Sequence, residues 1–275
     1  MKRNKGNPIA FENAEFIESK DARPIRLLSE YIFPDQEFKE MRVQDTIVFF
    51  GSARSLSPSG IRRLERDLKA KGAGADEWKR FELQKKISGY YRDASRLACK
   101  LTKWSKELNR TKTSNRRFLI CSGGGPGMME AANRGASLAK GLSVGLNISL
   151  PFEQEPNPYI TPSLSFNFHY FFMRKYWLMN LAKALVVFPG GFGTMDELFE
   201  LLTLIQTHKL SKPLPIVIYG TEYWKKLIHF ETFVEWGMIH ENDLNYLHFS
   251  DDVDEAYEYL VDRLSEIHLS ADKDK

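Results

Sequence analysis

Short apolar runs along this chain alternate with longer stretches in which apolar residues return every three or four positions. The first run, Thr46-Ile47-Val48-Phe49-Phe50, has no polar interruption, which predicts a strand buried on both faces, as in a parallel sheet. Runs at residues 118–121, 142–148, 164–168, 184–188 and 215–219 predict five more strands. Over residues 77–108, Ile87, Tyr90, Tyr91, Ala94, Leu97, Ala98, Leu101, Trp104 and Leu108 recur at helical spacing while Lys, Arg and Asp fill the other face. This predicts a long amphipathic helix covering the sheet. Further helices are expected over residues 126–140, with Pro126 in the first turn where its missing N–H costs nothing, and over 170–181, 194–208, 222–234 and 252–267. Regular alternation of strand and helix predicts an α/β fold: a Rossmann-like, doubly wound parallel sheet with helices on both faces and ligands at the carboxyl ends of its strands. Residues 1–40 read as a helical extension, with short helices around 11–17 and 25–32 broken by Pro24 and Pro34. Residues 41–267 read as one domain, and 268–275 as a polar tail.

Two glycine-rich turns stand between predicted strands and helices: Ser122-Gly123-Gly124-Gly125-Pro126-Gly127 and Pro189-Gly190-Gly191-Phe192-Gly193-Thr194. The first amides of a helix lack intrahelical partners and carry the positive end of its dipole, and an anion approaches them closely where side chains are missing. A phosphorylated small molecule is therefore the expected ligand, with Gly123, Gly124, Gly125, Gly127, Gly190, Gly191, Gly193 and Thr194 as its binding residues. A tight strand-to-helix connection is the alternative reading of either turn. The dinucleotide fingerprint fails, because its third glycine position is Met128 and the next strand ends in Asn147-Ile148 without a carboxylate for a ribose diol. The triphosphate motif GxxxxGK[ST] is absent from the sequence.

Residues 170–179, YFFMRKYWLM, are aromatic or apolar nearly all round yet carry Arg174 and Lys175. A buried helix is expected, in which both cations must find carboxylates, a phosphate or solvent. Arg174, with its planar fork of donors, suits a ligand, and Lys175 is the second candidate. Glu197 is open to two readings. Thr194-Met195-Asp196-Glu197 fits a capping box, while a glutamate beside a bound anion could equally face a sugar. Asp196 reads as favourable charge at a helix start.

Composition narrows the classes. With 275 residues, 43% apolar and 27% charged, the chain suits one large core. Its 39 basic and 36 acidic residues nearly balance, so nucleic acid is not an expected partner. No stretch approaches the roughly 18 apolar residues of a membrane span, and the basic start at residues 1–8 lacks a following apolar core. Cys99 and Cys121 lie far apart without metal-ligand spacing, so neither a metal nor a cofactor is expected, and the cytoplasm is the expected compartment.

Gly123-Gly124-Gly125-Pro126-Gly127-Met128-Met129-Glu130, Arg174-Lys175, and Pro189-Gly190-Gly191-Phe192-Gly193-Thr194-Met195-Asp196-Glu197 resemble the LOG family, long labelled "possible lysine decarboxylase". Its characterised members are nucleoside 5′-monophosphate phosphoribohydrolases, including cytokinin-activating enzymes. The resemblance runs from about Thr46 to Ile218 and implies hydrolysis of an AMP-like nucleoside monophosphate to free base and ribose 5-phosphate, with Arg174 and Glu197 as the catalytic pair. Phe171-Phe172-Met173 stands where short plant-type members carry Met-His, so the chain resembles a longer bacterial branch. A non-catalytic carrier of a nucleotide or phosphorylated cofactor on the same scaffold is the alternative. The decarboxylase label would need a pyridoxal phosphate lysine, for which Lys175 is weak support. The family is usually dimeric, and the aromatic 170–179 helix with the 77–108 helix offers more apolar surface than one sheet face covers. A homodimer or larger even-numbered oligomer is expected, the alternative being that the N-terminal arm covers this surface within one chain.

Overall fold

A computed structural model describes residues 9–111, 115–151, 155–210 and 214–269. The expected polar tail from residue 270 onward and the basic start at residues 1–8 lie outside the described residues. The order of elements begins α1 (Ala14–Glu18), α2 (Arg23–Glu40), β1 (Thr46–Phe50), α3 (Pro58–Ala70), α4 (Ala75–Thr111), β2 (Leu119–Ser122), α5 (Met128–Leu138) and β3 (Ser143–Ile148). It continues with β4 (Ser165–Phe168), α6 (Phe171–Asn180), β5 (Ala182–Val187), α7 (Phe192–Gln206), β6 (Ile216–Tyr219), α8 (Thr221–Leu227), α9 (Phe230–Glu235), β7 (Leu247–Ser250) and α10 (Val253–His268).

The strands form one sheet in the order β4-β3-β2-β1-β5-β6-β7, every pairing parallel. The fold is therefore an α/β, Rossmann-like doubly wound sheet. The chain winds outward from β1 to β4, returns to the centre, and winds outward again from β5, so the direction reverses between β1 and β5, where such sheets open a crevice. Successive strand residues feed opposite cores. Val48, Phe50, Leu185 and Val187 pack with α2, α6, α7 and α8 through Phe38, Trp177, Leu198 and Trp224. On the other face, Ile47, Phe49, Ala184 and Val186 pack with α4, α5 and α10 through Leu97, Ala132 and Leu260. Among the described residues, no helix is long and apolar enough to cross a membrane.

Several elements depart from the sequence reading. A seventh strand, β7, escapes the apolar pattern because its four residues include His248 and Ser250 and it lies half-buried at the sheet edge. Helix α3 also goes unread: Ser57 caps it by accepting from the Gly60 amide, Pro58 begins it, and Ile61 and Leu68 pack in a small separate cluster with Phe81. Pro126 stands ahead of α5, not in it, because Gly127, with φ 72°, is the cap residue. The 222–234 stretch divides into α8 and α9. The apolar face of α4 is covered within the chain, with Tyr91, Ala94, Leu97, Ala98 and Leu101 buried, so α4 does not supply the unburied surface expected of it.

Neither Pro24 nor Pro34 breaks the N-terminal extension into short helices. Pro24 lies in the first turn of α2, and Pro34 sits buried inside the same helix. A proline interrupts a helix chiefly by leaving the carbonyl four residues earlier without its donor. Here that carbonyl, Glu30 O, accepts from the Trp177 indole N–H of α6 at 3.0 Å. Tyr31 packs against Tyr176 and Trp177, with centroids 5.6 and 5.7 Å apart. The Glu30 carboxylate also accepts from the His169 amide at 2.6 Å. Trp177→Phe is expected to cost about 1–3 kcal/mol through the orphaned carbonyl and the smaller ring. Adding Pro34→Ala, which restores an N–H to the helix, should recover part of that loss. Urea midpoints check this, and a double variant no more stable than Trp177→Phe would refute the account.

Candidate functional site

Three strand ends meet at the reversal of the sheet, held together by main chain. After β1, the Ser52 N–H donates to Pro189 O beyond β5 at 3.0 Å, and Ser52 O accepts from the Met128 N–H at the start of α5 at 3.0 Å. The approach is so close that a Cβ on Gly127 would lie 2.3 Å from Ser52 O. Buried amide side chains lock the first glycine turn. Asn157 Nδ2 lies 3.0 Å from Gly124 O, 3.1 Å from Gly125 O and 3.0 Å from Asn133 Oδ1. Ser122 Oγ donates to Asn133 Oδ1 at 2.7 Å and accepts from the Gly124 amide at 3.0 Å. Gly124, at φ +73°, faces the Asn147 amide, and a Cβ on Gly123 would meet the Met129 sulfur at 2.7 Å. Gly123, Gly124 and Gly127 thus have reasons within the fold to lack a side chain.

The second turn differs. A Cβ on Gly190 would meet Thr194 Oγ1 at 2.0 Å, and Gly190 O accepts from the Tyr223 hydroxyl at 2.5 Å. Gly191 and Gly193, by contrast, would carry a Cβ into open space. Helix α7 begins two residues earlier than its sequence pattern suggests: Gly191 is its cap, no side chain caps it, and Phe192 is 96% exposed. Thr194 is therefore a buried first-turn residue, and the capping box read from Thr194 to Glu197 is not the helix start. The amides of Phe192, Gly193 and Thr194 head a fifteen-residue helix without intrahelical acceptors, at the positive end of its dipole.

Both cations of α6 meet carboxylates of α7. Arg174 Nη2 lies 3.1 Å from Glu197 Oε1, with side chains 14% and 5% exposed. Lys175 Nζ lies 2.8 Å from Asp196 Oδ1 and 2.9 Å from Glu200 Oε2, so Asp196 is an ion-pair partner and more than a complement to the helix dipole. The Arg174 guanidinium also sits 5.2 Å from the Phe171 ring centroid. The expectation of a wholly buried α6 holds only for its second half. Trp177, Leu178 and Met179 are buried, whereas Phe171 and Phe172 are each 51% exposed.

Burial pushes the Glu197 carboxyl up to about 7, against the opposing pull of Arg174 and Lys175. For Lys175, burial works to lower the ammonium's pKa, but hydrogen bonds to Asp196 and Glu200 outweigh it and hold the group above its ordinary value. Glu197 Oε2 and Arg174 Nε are buried without a hydrogen-bond partner among the described residues. An uncapped helix start beside a half-satisfied carboxylate–guanidinium pair can bind an anion through amides while offering an acceptor and a donor to what the anion carries. Sequence reasoning did not single out Asn133, Asn157 or Tyr223. A lone asparagine in a helix or loop carries no periodic signal, and the Tyr223 role depends on where α8 docks.

Comparison with known proteins follows the same residues. Residues 129–260 match a family model described as possible lysine decarboxylase. The span takes in Arg174, Glu197 and the second turn but begins after the first. A pyrimidine/purine nucleotide 5′-monophosphate nucleosidase of Escherichia coli (strain K12) is 28% identical over 133 residues, 42% of this chain and 28% of that protein. The chain thus aligns with little more than a quarter of the length of such curated relatives. Among solved structures, TM1055 is 18% identical over 79% of this chain and 99% of its own, with TM-score 0.47. A molybdenum cofactor binding protein from the phototrophic bacterium Rippkaea orientalis is 15% identical over 80% of this chain and 95% of its own, with TM-score 0.44. Residues 129–260, just under half of this chain, are thus similar to the family described as possible lysine decarboxylase.

Proposed function

We propose that this protein hydrolyses the N-glycosidic bond of an AMP-like nucleoside 5′-monophosphate, releasing the free base and ribose 5-phosphate. The observation that carries this reading is the buried Arg174–Glu197 pair, 3.1 Å apart, beside the uncapped start of α7. The 5′-phosphate binds the amides of Phe192, Gly193 and Thr194, and this remote anchoring positions the sugar. As the C1′–N bond breaks, positive charge develops on the ribose. The Glu197 carboxylate stabilises that charge and orients the attacking water. The bond's electron pair leaves with the base, where the Arg174 guanidinium offers charge and N–H donors; the proton that the attacking water gives up is the one that the departing base takes up. Decarboxylation through pyridoxal phosphate does not fit the residues, because it needs a free lysine amine and Lys175 is held as an ammonium between Asp196 and Glu200.

If the phosphate is the anchor, kcat/KM for AMP should exceed that for adenosine by roughly 100-fold or more, the value of two or so charge-assisted hydrogen bonds. Equal turnover of the two would refute the anchoring, and tight AMP binding with no released base or ribose 5-phosphate would establish a carrier instead.

Glu197→Gln should lower kcat by roughly 100-fold or more, and Arg174→Lys should be impaired because a point charge does not replace a planar fork. Stability must respond with a definite sign. A folded-state pKa raised to about 7 means that the native state binds more protons than the unfolded chain between about pH 4.5 and pH 7, so this residue's contribution worsens as pH rises through that window. Removing the titrating group removes the slope. The melting temperature of Glu197→Gln relative to the parent should therefore rise from pH 5 to pH 8, and a constant difference would show that Glu197 is not held near 7.

We also infer that the working unit is a homodimer or larger even-numbered oligomer. Helix α2 covers part of α6, yet Phe171, Phe172 and Tyr176 of α6 stay exposed together with Leu28, Ile32 and Phe33 of α2, an apolar surface of the kind that marks a protein contact. Light scattering across a dilution series should show a dimer or higher even-numbered species at working concentration. A fully active monomer would overturn the inference.

A further inference from the structure

Asn147, the penultimate residue of β3, is 3% exposed. Its Nδ2 donates to Phe166 O on β4 at 3.2 Å. Exchanging the amide's two ends would set oxygen against that carbonyl oxygen, so the orientation of the group is decided by the hydrogen bond. The oxygen, Asn147 Oδ1, is left buried with no partner among the described residues. The amide lies flat against the first glycine turn: a Cβ on Gly124 would stand 2.5 Å from both of its terminal atoms. Within this turn the Gly124 amide and the Gly124 and Gly125 carbonyls are engaged by Ser122 and Asn157. Asn147 Oδ1 is thus an uncommitted acceptor at the carboxyl end of a sheet strand, where open α/β sheets take ligands. A buried acceptor without a donor costs about 1–3 kcal/mol.

We propose that Asn147 is a substrate-recognition residue whose side-chain oxygen accepts a hydrogen bond from a donor on the bound nucleotide, a ribose hydroxyl or the exocyclic amino group of the base. This rests on the nucleoside monophosphate reading above. It divides recognition among three groups: α7 amides for the phosphate, Glu197 and Arg174 for the reacting bond, and Asn147 for a neutral donor group. A site built to hydrogen-bond a substrate hydroxyl or amine rejects an analogue lacking it far more strongly than an apolar wall does.

The test compares AMP, 2′-deoxy-AMP, 3′-deoxy-AMP and IMP, in which oxygen replaces the amino group, on wild-type protein and Asn147→Leu, with melting temperatures recorded alongside. In wild type, one of the three analogues should lose roughly 10- to 100-fold in kcat/KM relative to AMP, and the analogue affected identifies the donor. Asn147→Leu should lose a similar factor on AMP and no further factor on that analogue. Asn147→Asp, which keeps an acceptor but loses the donation to Phe166 O, should discriminate among the four nucleotides better than Asn147→Leu. An equal fall on all four nucleotides in Asn147→Leu, as a buried water or a purely structural role would produce, overturns the proposal, as does wild-type behaviour. If wild-type protein releases no base from any monophosphate, the hydrolase reading falls. The same four nucleotides titrated calorimetrically then decide the role of Asn147 by the same pattern in Kd, and failure of wild type to bind any of them overturns it.

Discussion

The site depends on one main-chain junction. Ser52, just past the end of β1, uses its amide and its carbonyl in opposite directions, to Pro189 and from Met128. Those two bonds fix the loops after β1, β2 and β5 relative to one another at the point where the sheet reverses direction. Because the junction is backbone to backbone, it tolerates no side chain in the gap, and Gly127 is held at a positive φ against Ser52 O. The start of α7 is thereby placed, and with it every side chain that α7 carries toward α6.

On that frame, the chain maintains an arrangement that is costly by itself. Holding a carboxyl near pH 7 rather than at its ordinary value represents, net of the attraction to Arg174 and Lys175, on the order of 3 kcal/mol against its charged form, a large share of the margin by which a domain of this kind is stable. Burial thus outweighs the 3.1 Å contact with Arg174, and Lys175 is occupied with Asp196 and Glu200. Removing one partner of such a pair leaves a buried charge uncompensated. The two glycine turns differ: an asparagine and serine network engages the Gly124 amide and the Gly124 and Gly125 carbonyls of the first, while the second stands at the side-chain-free start of α7.

The N-terminal extension supports the same region from the other side. Glu30 binds α6 twice over, through its carboxylate at the start of the helix and through the carbonyl that Pro34 leaves unpaired. A proline in mid-helix reads locally as a break; across the interface it creates an acceptor for Trp177. The extension therefore holds α6, and with it Arg174, at a fixed distance from α7.

Much of this protein is legible in its amino-acid order, for reasons that are local. Short unbroken apolar runs bounded by turn residues mark strands covered on both faces, helical spacing marks the layers that cover them, and clustered glycines mark places where backbone approaches backbone or ligand. Those signals yield the parallel sheet and both turns. The pairing of Arg174 with Glu197, the division of Lys175 between two carboxylates and the orphaned oxygen of Asn147 join residues from separate elements, and no periodicity along the chain encodes them. The true start of α7 was hidden because Gly191 caps by lacking a side chain, whereas Thr194 advertises a cap it does not form. Strand β7 and helix α3 were missed because a half-buried edge and a small peripheral cluster need few apolar residues. Local physics determines which segments become strand, helix or turn. Packing in three dimensions decides which polar groups are buried together, and so which of them are left with unmet hydrogen bonds for a ligand to satisfy.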